Sequence, residues 1–305
     1  MKFLYSLTIF SSVNNCLFFK VIPSARENSH VYNHSRLPAC RHTGVKIFLI
    51  VVSLIFVSCT HNQHFPELLT TKVPLENLKI DAPLLNDVVN TDSIREYSGS
   101  ADLENLWTYK NHFDEKKANF SLEDFVEEWE KIRTTTTTST QHWSKEEIIK
   151  WFEVNALLFQ LTGNEKFVEQ MEKTALSFSK TTGDTYKKIV APYIYTKNVD
   201  HIHVNLFVPA EVSYEHTLKG SVKISQKTDF PNSGSVKLNF NMTQQRYIEL
   251  FVRIPAWAAG ATVTVKKVKY MATPGTYCKI AKKWREGDLV EIEFPQEKIP
   301  SYLKK

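Results

Sequence analysis

HIHVNLFV (His201 to Val208), SVKLNFN (Ser235 to Asn241) and YIELFVRIP (Tyr247 to Pro255) place apolar residues at every second position. Ile202, Val204, Leu206 and Val208 share one face of the first segment. Val236, Leu238 and Phe240 share one face of the second, and Ile248, Leu250, Val252 and Ile254 one face of the third. A period of two is the mark of strands with one face buried. Between such segments stand Pro231-Asn232-Ser233-Gly234, Ala259-Gly260, Pro274-Gly275 and Glu286-Gly287-Asp288, residues whose backbone preferences suit chain reversals. Residues 192–297 therefore predict an antiparallel β-sandwich of roughly seven or eight short strands.

Working outward, several phrases follow one another in a fixed order: YIYT (Tyr193 to Thr196), HVNLFVPAEV (His203 to Val212), QKTDFP followed by Gly234, FVRIPAWA (Phe251 to Ala258) and PGTYCKIAKKWREGDLVEIEFP (Pro274 to Pro295). In these the chain resembles glycoside hydrolase family 127, the β-L-arabinofuranosidase family, whose β-sandwich follows an (α/α)6 barrel. The resemblance implies the fold class α+β, a partial toroid-type helical segment followed by an antiparallel sandwich. It also implies β-L-arabinofuranosides of plant polysaccharides as substrate class.

Upstream, helical spacing replaces alternation. Ser121 to Asp124 fits a capping box, with Phe125, Val126, Trp129 and Ile132 at helical intervals, and the threonine run from Thr134 to Thr138 ends that segment. Ser144 with Glu147 makes a second box, flanked by Trp143 and Ile148 as a hydrophobic staple, and the apolar face continues through Phe152, Ala156 and Phe159 to Thr162-Gly163. Glu165 to Phe178 is a third helix, with Phe167, Met171, Ala175 and Phe178 aligned. Residues 119–180 are thus expected to form a remnant of the barrel.

The remnant departs from the family where the resemblance places its chemistry. There, a glutamate and a cysteine opening one helix help hold zinc, and a cysteine pair before the YIYT-like strand completes the site and supplies the nucleophile. Here the helix opens SKEEIIKW, with Glu146 near the place of the cysteine, and the twelve residues between Lys180 and Tyr193 contain no cysteine. The expected cofactor set is accordingly none, the family's zinc ligands not being present.

A chain of 305 residues with ordinary hydrophobic content can bury one large core or two modest ones. Its formal charge of +5 resides in the first 58 residues, six basic against one acidic, which leaves 32 of each sign beyond. A balanced body gives no footprint for nucleic acid. Lys266, Lys267, Lys269, Lys279, Lys282, Lys283 and Arg285 come nearest to a basic patch and read as the solvated face of a hairpin.

Residues 47–57, IFLIVVSLIFV, follow Lys46 and lead into Ser58-Cys59. Eleven residues are too short for a spanning helix, which needs about 20, and suit a signal peptide. A small residue before a cysteine resembles a bacterial lipobox, although Phe56 replaces the usual leucine. Residues 1–58 are therefore expected to be a leader, and Cys59 the lipidated residue of an envelope protein held to a membrane by its lipid. The first 44 residues, which precede this signal, are expected to stem from start-site choice. His30, His34, Cys40 and His42 could be offered as a metal site, but no folded element surrounds them and they read as incidental. Residues 59–118, polar and with Pro66, Pro74 and Pro83, are expected to be a tether, and 298–305 a tail.

Retaining hydrolysis at an anomeric carbon needs a nucleophile and a proton donor on opposite faces, about 5 Å apart when both are carboxyls. Glu127, Glu128, Glu146 and Glu147 are the nearest carboxylates, yet helix capping and a solvated helix face account for them. Cys278, inside an alternating pattern, reads as a buried structural thiol. Trp257 and Trp284 are candidate platforms for stacked sugars, with packing as the competing role, while Phe230-Pro231, Arg253 and Asp288 are expected to serve turn geometry and core placement. The resulting expectation is a glycosidase relative without its catalytic segment. Three alternatives remain: a carbohydrate-binding or scaffolding lipoprotein, a hydrolase with a rearranged carboxylate pair at Glu128 or Glu147, and a chain that barely folds.

Overall fold

The structure is a computed structural model and describes residues 65–80, 100–135, 143–178, 186–218 and 220–304. Cys59, the apolar run 47–57 and the His30, His34, Cys40, His42 group lie outside these residues. All of the described residues fall in one compact unit, Gln63–Lys305.

Two sheets face each other. The five-stranded sheet runs β1 (Thr71–Lys72), β3 (Tyr195–Lys197), β4 (His201–Val204), β8 (Arg246–Ile254), β11 (Thr276–Trp284). The seven-stranded sheet runs β10 (Val268–Tyr270), β9 (Thr262–Val265), β12 (Leu289–Glu293), β7 (Ser235–Met242), β6 (Ser221–Thr228), β5 (Ala210–Glu215), β2 (Leu78–Ile80). The alternation is realised side chain by side chain. Val236, Leu238 and Phe240 on one sheet, and Ile202, Val204, Ile248, Leu250, Val252 and Ile254 on the other, are fully buried. Pairing is antiparallel except between β4 and β8, which run parallel with Ile202 opposite Leu250.

The first segment departs from expectation at its end. Strand β4 stops at Val204, because Asn205 turns the chain from one sheet toward the other. Its amide N–H and that of Leu206 both go to the Ile194 carbonyl, and its side-chain amide donates to the Tyr193 carbonyl at 3.0 Å. Buried Gln226 then holds the crossing loop by donating to the Leu206 and Val208 carbonyls.

The helices are α1 (Ser100–Asp114), α2 (Leu122–Thr135), α3 (Lys145–Thr162) and α4 (Glu165–Phe178). Both boxes are found, one of them complete. The Ser144 N–H donates to Glu147 at 2.7 Å and the Glu147 N–H to the Ser144 hydroxyl at 3.2 Å; at Ser121 the N–H of Asp124 donates to the hydroxyl. Helix α3 ends on Gly163 at φ 67, a conformation that disfavours residues with a Cβ. Among the described helices none is long and apolar enough to cross a membrane.

The expected tether at 59–118 is corrected by what it packs against. β1 pairs with β3, and β2 pairs with β5, so residues 65–80 contribute a strand to each sheet. The Leu69 N–H donates to the Gln160 carbonyl of α3 at 2.8 Å. Leu103 and Leu106 of α1 are buried, so the helical layer begins at Ser100 instead of 119. Its own hydrophobic periodicity is weak, and only tertiary partners reveal which face is covered.

Candidate functional site: the seam between helices and sandwich

Strand alternation places Tyr247, Glu249, Phe251 and Arg253 of β8 on the outer face of the five-stranded sheet, beside His201 and His203 of β4 and Tyr277 and Lys279 of β11. Helices α3 and α4 cover part of this face and leave the rest open.

In the covered part Arg253 is fully buried. Its Nη2 donates to Glu172 Oε2 of α4 at 2.6 Å, its Nη1 reaches the Val168 carbonyl at 3.5 Å, and the guanidinium lies 5.6 Å from the Phe207 ring. Glu165, the first residue of α4, approaches Arg253 Nε to 3.5 Å without hydrogen-bond geometry. Both Glu165 Oε1 and Arg253 Nε lack a hydrogen-bond partner. Burial consequently outweighs the guanidinium's attraction and raises the Glu165 carboxyl to about 7, helped by Glu169 and Glu172. Burial opposes the charge of Arg253, but Glu172 and Glu165 more than offset it and push its pKa up.

Beside this cluster, Tyr277 Oη donates to Asn205 Oδ1 at 2.7 Å, and burial drives its phenol well above the ordinary value. His203 stacks on Phe251 at 4.5 Å and meets Tyr277 and Phe159 edge-on. Its Nδ1 has no partner, and burial, followed by His201, lowers it to about 4. It is therefore a neutral imidazole at pH 7.

In the open part, Glu249 gathers three donors: Tyr247 Oη at 2.9 Å, Lys279 Nζ at 2.7 Å and His201 Nε2 at 3.1 Å. The hydrogen bond from Lys279 leads in holding its carboxyl below the usual range. Tyr247 leaves 42% of its surface exposed. This strip was missed in the sequence, where Tyr247 reads as one more position of a strand; which face stays uncovered depends on where the helices end.

The candidate platforms are corrected in one case and narrowed in the other. Trp284 is fully buried, stacks on Phe240 of the opposite sheet at 4.0 Å and donates to the Ile248 carbonyl. It is core packing, since the alternation of β11 turns it inward. Trp257 is half-buried, with its ring parallel to Phe230 at 6.1 Å and edge-on to Phe294, and its Nε1 is sealed without a partner. It gives no open stacking face on that side.

The candidate acids do not converge. Glu147 is spent on the α3 cap, Glu146 is exposed, and Glu127 and Glu128 pair with Lys131 on the surface of α2. Cys278 is buried in the sandwich, and burial pushes its thiol up to about 11, the opposite of an activated nucleophile. Among the described residues no three His, Cys, Asp or Glu side chains stand where they could hold a metal. Asp288 has the placement role expected of it, receiving Lys266, Lys282 and the Arg285 N–H at the β11 to β12 turn.

Residues 201–296 match the family described as the GH127 middle domain of beta-L-arabinofuranosidase. Among solved structures, the chain is similar to a protein titled glycoside hydrolase, with 23% identity, TM-score 0.46, 52% of this chain and 33% of that one covered. It is also similar to a GH127 beta-L-arabinofuranosidase from Geobacillus stearothermophilus T6, with 22% identity, TM-score 0.42, and 48% and 31% covered. A third is a GH127 beta-arabinofuranosidase with 15% identity, TM-score 0.51, and 67% and 44% covered. That third likeness shows the shared fold of helices and sandwich. The chain spans about a third of the length of the first two proteins and under half of the third. No curated protein matches it.

Proposed function

We propose, from the match of residues 201–296 to the GH127 middle domain, that the chain is a glycan-handling protein of glycosidase descent that binds arabinofuranose-bearing chains without hydrolysing them. The observation that carries this reading is the closure of the seam. Arg253, Glu165 and Glu172 face one another with their side chains at most 9% exposed, and the one described thiol is held protonated in the core. Such a cluster braces α4 against β8 and offers a substrate neither nucleophile nor reachable acid. Attachment to the cell envelope through a lipid on Cys59 belongs to the same proposal, on the strength of the apolar run that precedes it.

The strip around Glu249 suits sugar contact. The Tyr247 ring can meet the C–H face of a furanose, while Lys279, His201 and the Glu249 carboxylate are placed for its hydroxyls. Affinity electrophoresis of the full chain in gels containing arabinan tests this. Retarded migration that Tyr247→Ala abolishes and Glu165→Gln leaves intact is expected. Migration unaffected by arabinan would overturn it.

One observation favours a second reading. The Glu165 pKa near 7 is that of a general acid. Its 2% exposure and its position against Arg253 weigh against that role.

A further inference from the structure

His216, which follows β5 in the turn to β6, is a buried imidazole outside both the ionic seam and the strip around Glu249. The Leu218 N–H donates to its Nδ1 at 3.2 Å. A backbone N–H can only donate, so Nδ1 is the acceptor and the ring hydrogen sits on Nε2. Nε2 in turn faces the Tyr247 carbonyl at 3.3 Å and Asp200 Oδ1 at 3.4 Å. The turn is closed without those two contacts. The His216 N–H donates to the Gly220 carbonyl at 3.0 Å, and the Gly220 N–H donates to Glu215 Oε2 at 3.0 Å. The Nε2 side of the ring therefore serves the other sheet.

There it meets the backbone where the ladder gives out. β4 pairs with β8 from His201 opposite Glu249 onward, so the Tyr247 carbonyl lies beyond the paired register. Asp200 is the last residue of the β3 to β4 turn, and its carbonyl accepts the Glu249 N–H at 2.8 Å. Both contacts of Nε2 thus fall on the strip's own support: Tyr247 itself, and the neighbour of His201 that holds Glu249. We propose that His216 is a positioning residue for glycan contact, reaching from the seven-stranded sheet to fix the backbone that presents Tyr247, His201 and Glu249 on the open face of the other. The Tyr247 hydroxyl meets the Glu249 carboxylate at 2.9 Å and His201 Nε2 meets it at 3.1 Å. A small slide of the β3 to β4 turn or of the start of β8 would carry these distances past hydrogen-bond range. The role rests on the glycan reading of the strip, whereas the tie itself is a property of the free protein.

Two substitutions divide the two sides of the ring. His216→Asn can place its amide oxygen near the Nδ1 position and keep the Leu218 bond, but it reaches no further. His216→Gln can place its amide nitrogen near the Nε2 position and keep the contacts to Tyr247 and Asp200. Affinity electrophoresis of the full chain in arabinan gels is read together with hydrogen exchange at single amides of the free chain. His216→Gln should keep the retardation and the protection of the Glu249 amide while the Leu218 amide loses its own. His216→Asn should keep the Leu218 amide protected while arabinan affinity and Glu249 protection each fall by about five- to tenfold, the worth of one hydrogen bond. A His216→Asn chain that keeps both, or a folded His216→Gln chain that loses both, would overturn the proposal and leave His216 a residue of its own turn. Wild type that arabinan does not retard would fail the glycan reading, and the Glu249 amide would still uphold the tie or overturn it.

Discussion

Arg253 ties two elements that share no backbone hydrogen bonds. Its removal would leave Glu172 and Glu165 buried without their counter-charge, which costs about 3–5 kcal/mol. Arg253→Ala should lower the urea midpoint accordingly, whereas Glu127→Ala, an exposed partner of Lys131, should shift stability by under about 0.5 kcal/mol. Glu165 and His203 add a pH signature of opposite signs. The Glu165 carboxyl, at about 7 when folded against an ordinary 4.5, contributes stability that is complete below pH 4.5 and is lost as pH rises through 7. The His203 imidazole, at about 4 when folded against 6.5, contributes stability that is complete above pH 6.5 and is lost as pH falls through 4. Between pH 4.5 and 6.5 the two slopes oppose each other. Urea titrations across this range should show stability rising with pH in Glu165→Gln and falling with pH in His203→Phe, each by up to about 1.4 kcal/mol per pH unit. The same slope in both variants would remove these two groups as its source.

At the scale of elements, α3 is defined by its ends. Ser144→Ala removes the acceptor for the Glu147 N–H and should cost about 1 kcal/mol. Gly163→Ala keeps its space, the nearest side-chain atom being 3.7 Å from a built Cβ, so about 1–2 kcal/mol of backbone strain should be its main effect in a thermal or urea melt. Equal stability of wild type and Gly163→Ala would contradict the left-handed cap. These ends were legible because capping is local chemistry: Ser144, Glu147 and Gly163 can be read without knowing the fold. The sandwich strands were legible for the same reason, as period two is a local pattern. Residues 65–80 were not, since two-residue and three-residue strands carry no period and exist only through pairing with β3 and β5. The site followed the same division. Burial of Cys278 could be anticipated from its strand, but Trp284 and Tyr247 both lie in alternating segments, and only the opposing sheet and the helix layer decide that one ring is sealed and the other open.

Among the described residues, the helices and the sandwich meet through a closed ionic cluster, and the strip around Glu249 on the same sheet face is polar and open. A glycosidase centre would require a reachable carboxyl or thiolate beside a concave surface; Glu147 is spent on a helix cap, Glu127 and Glu128 on surface pairs with Lys131, and Glu165 and Glu172 on the seam. The proposed reading is that this chain holds sugars without cleaving them. Its most direct test is the release of free arabinose by the purified full chain from an aryl β-L-arabinofuranoside and from arabinan, with and without added zinc. Release no faster than in protein-free buffer is the predicted result. Release by the wild type that Glu165→Gln abolishes, in a variant that still folds, would contradict the claim and make the buried carboxyl a catalytic acid.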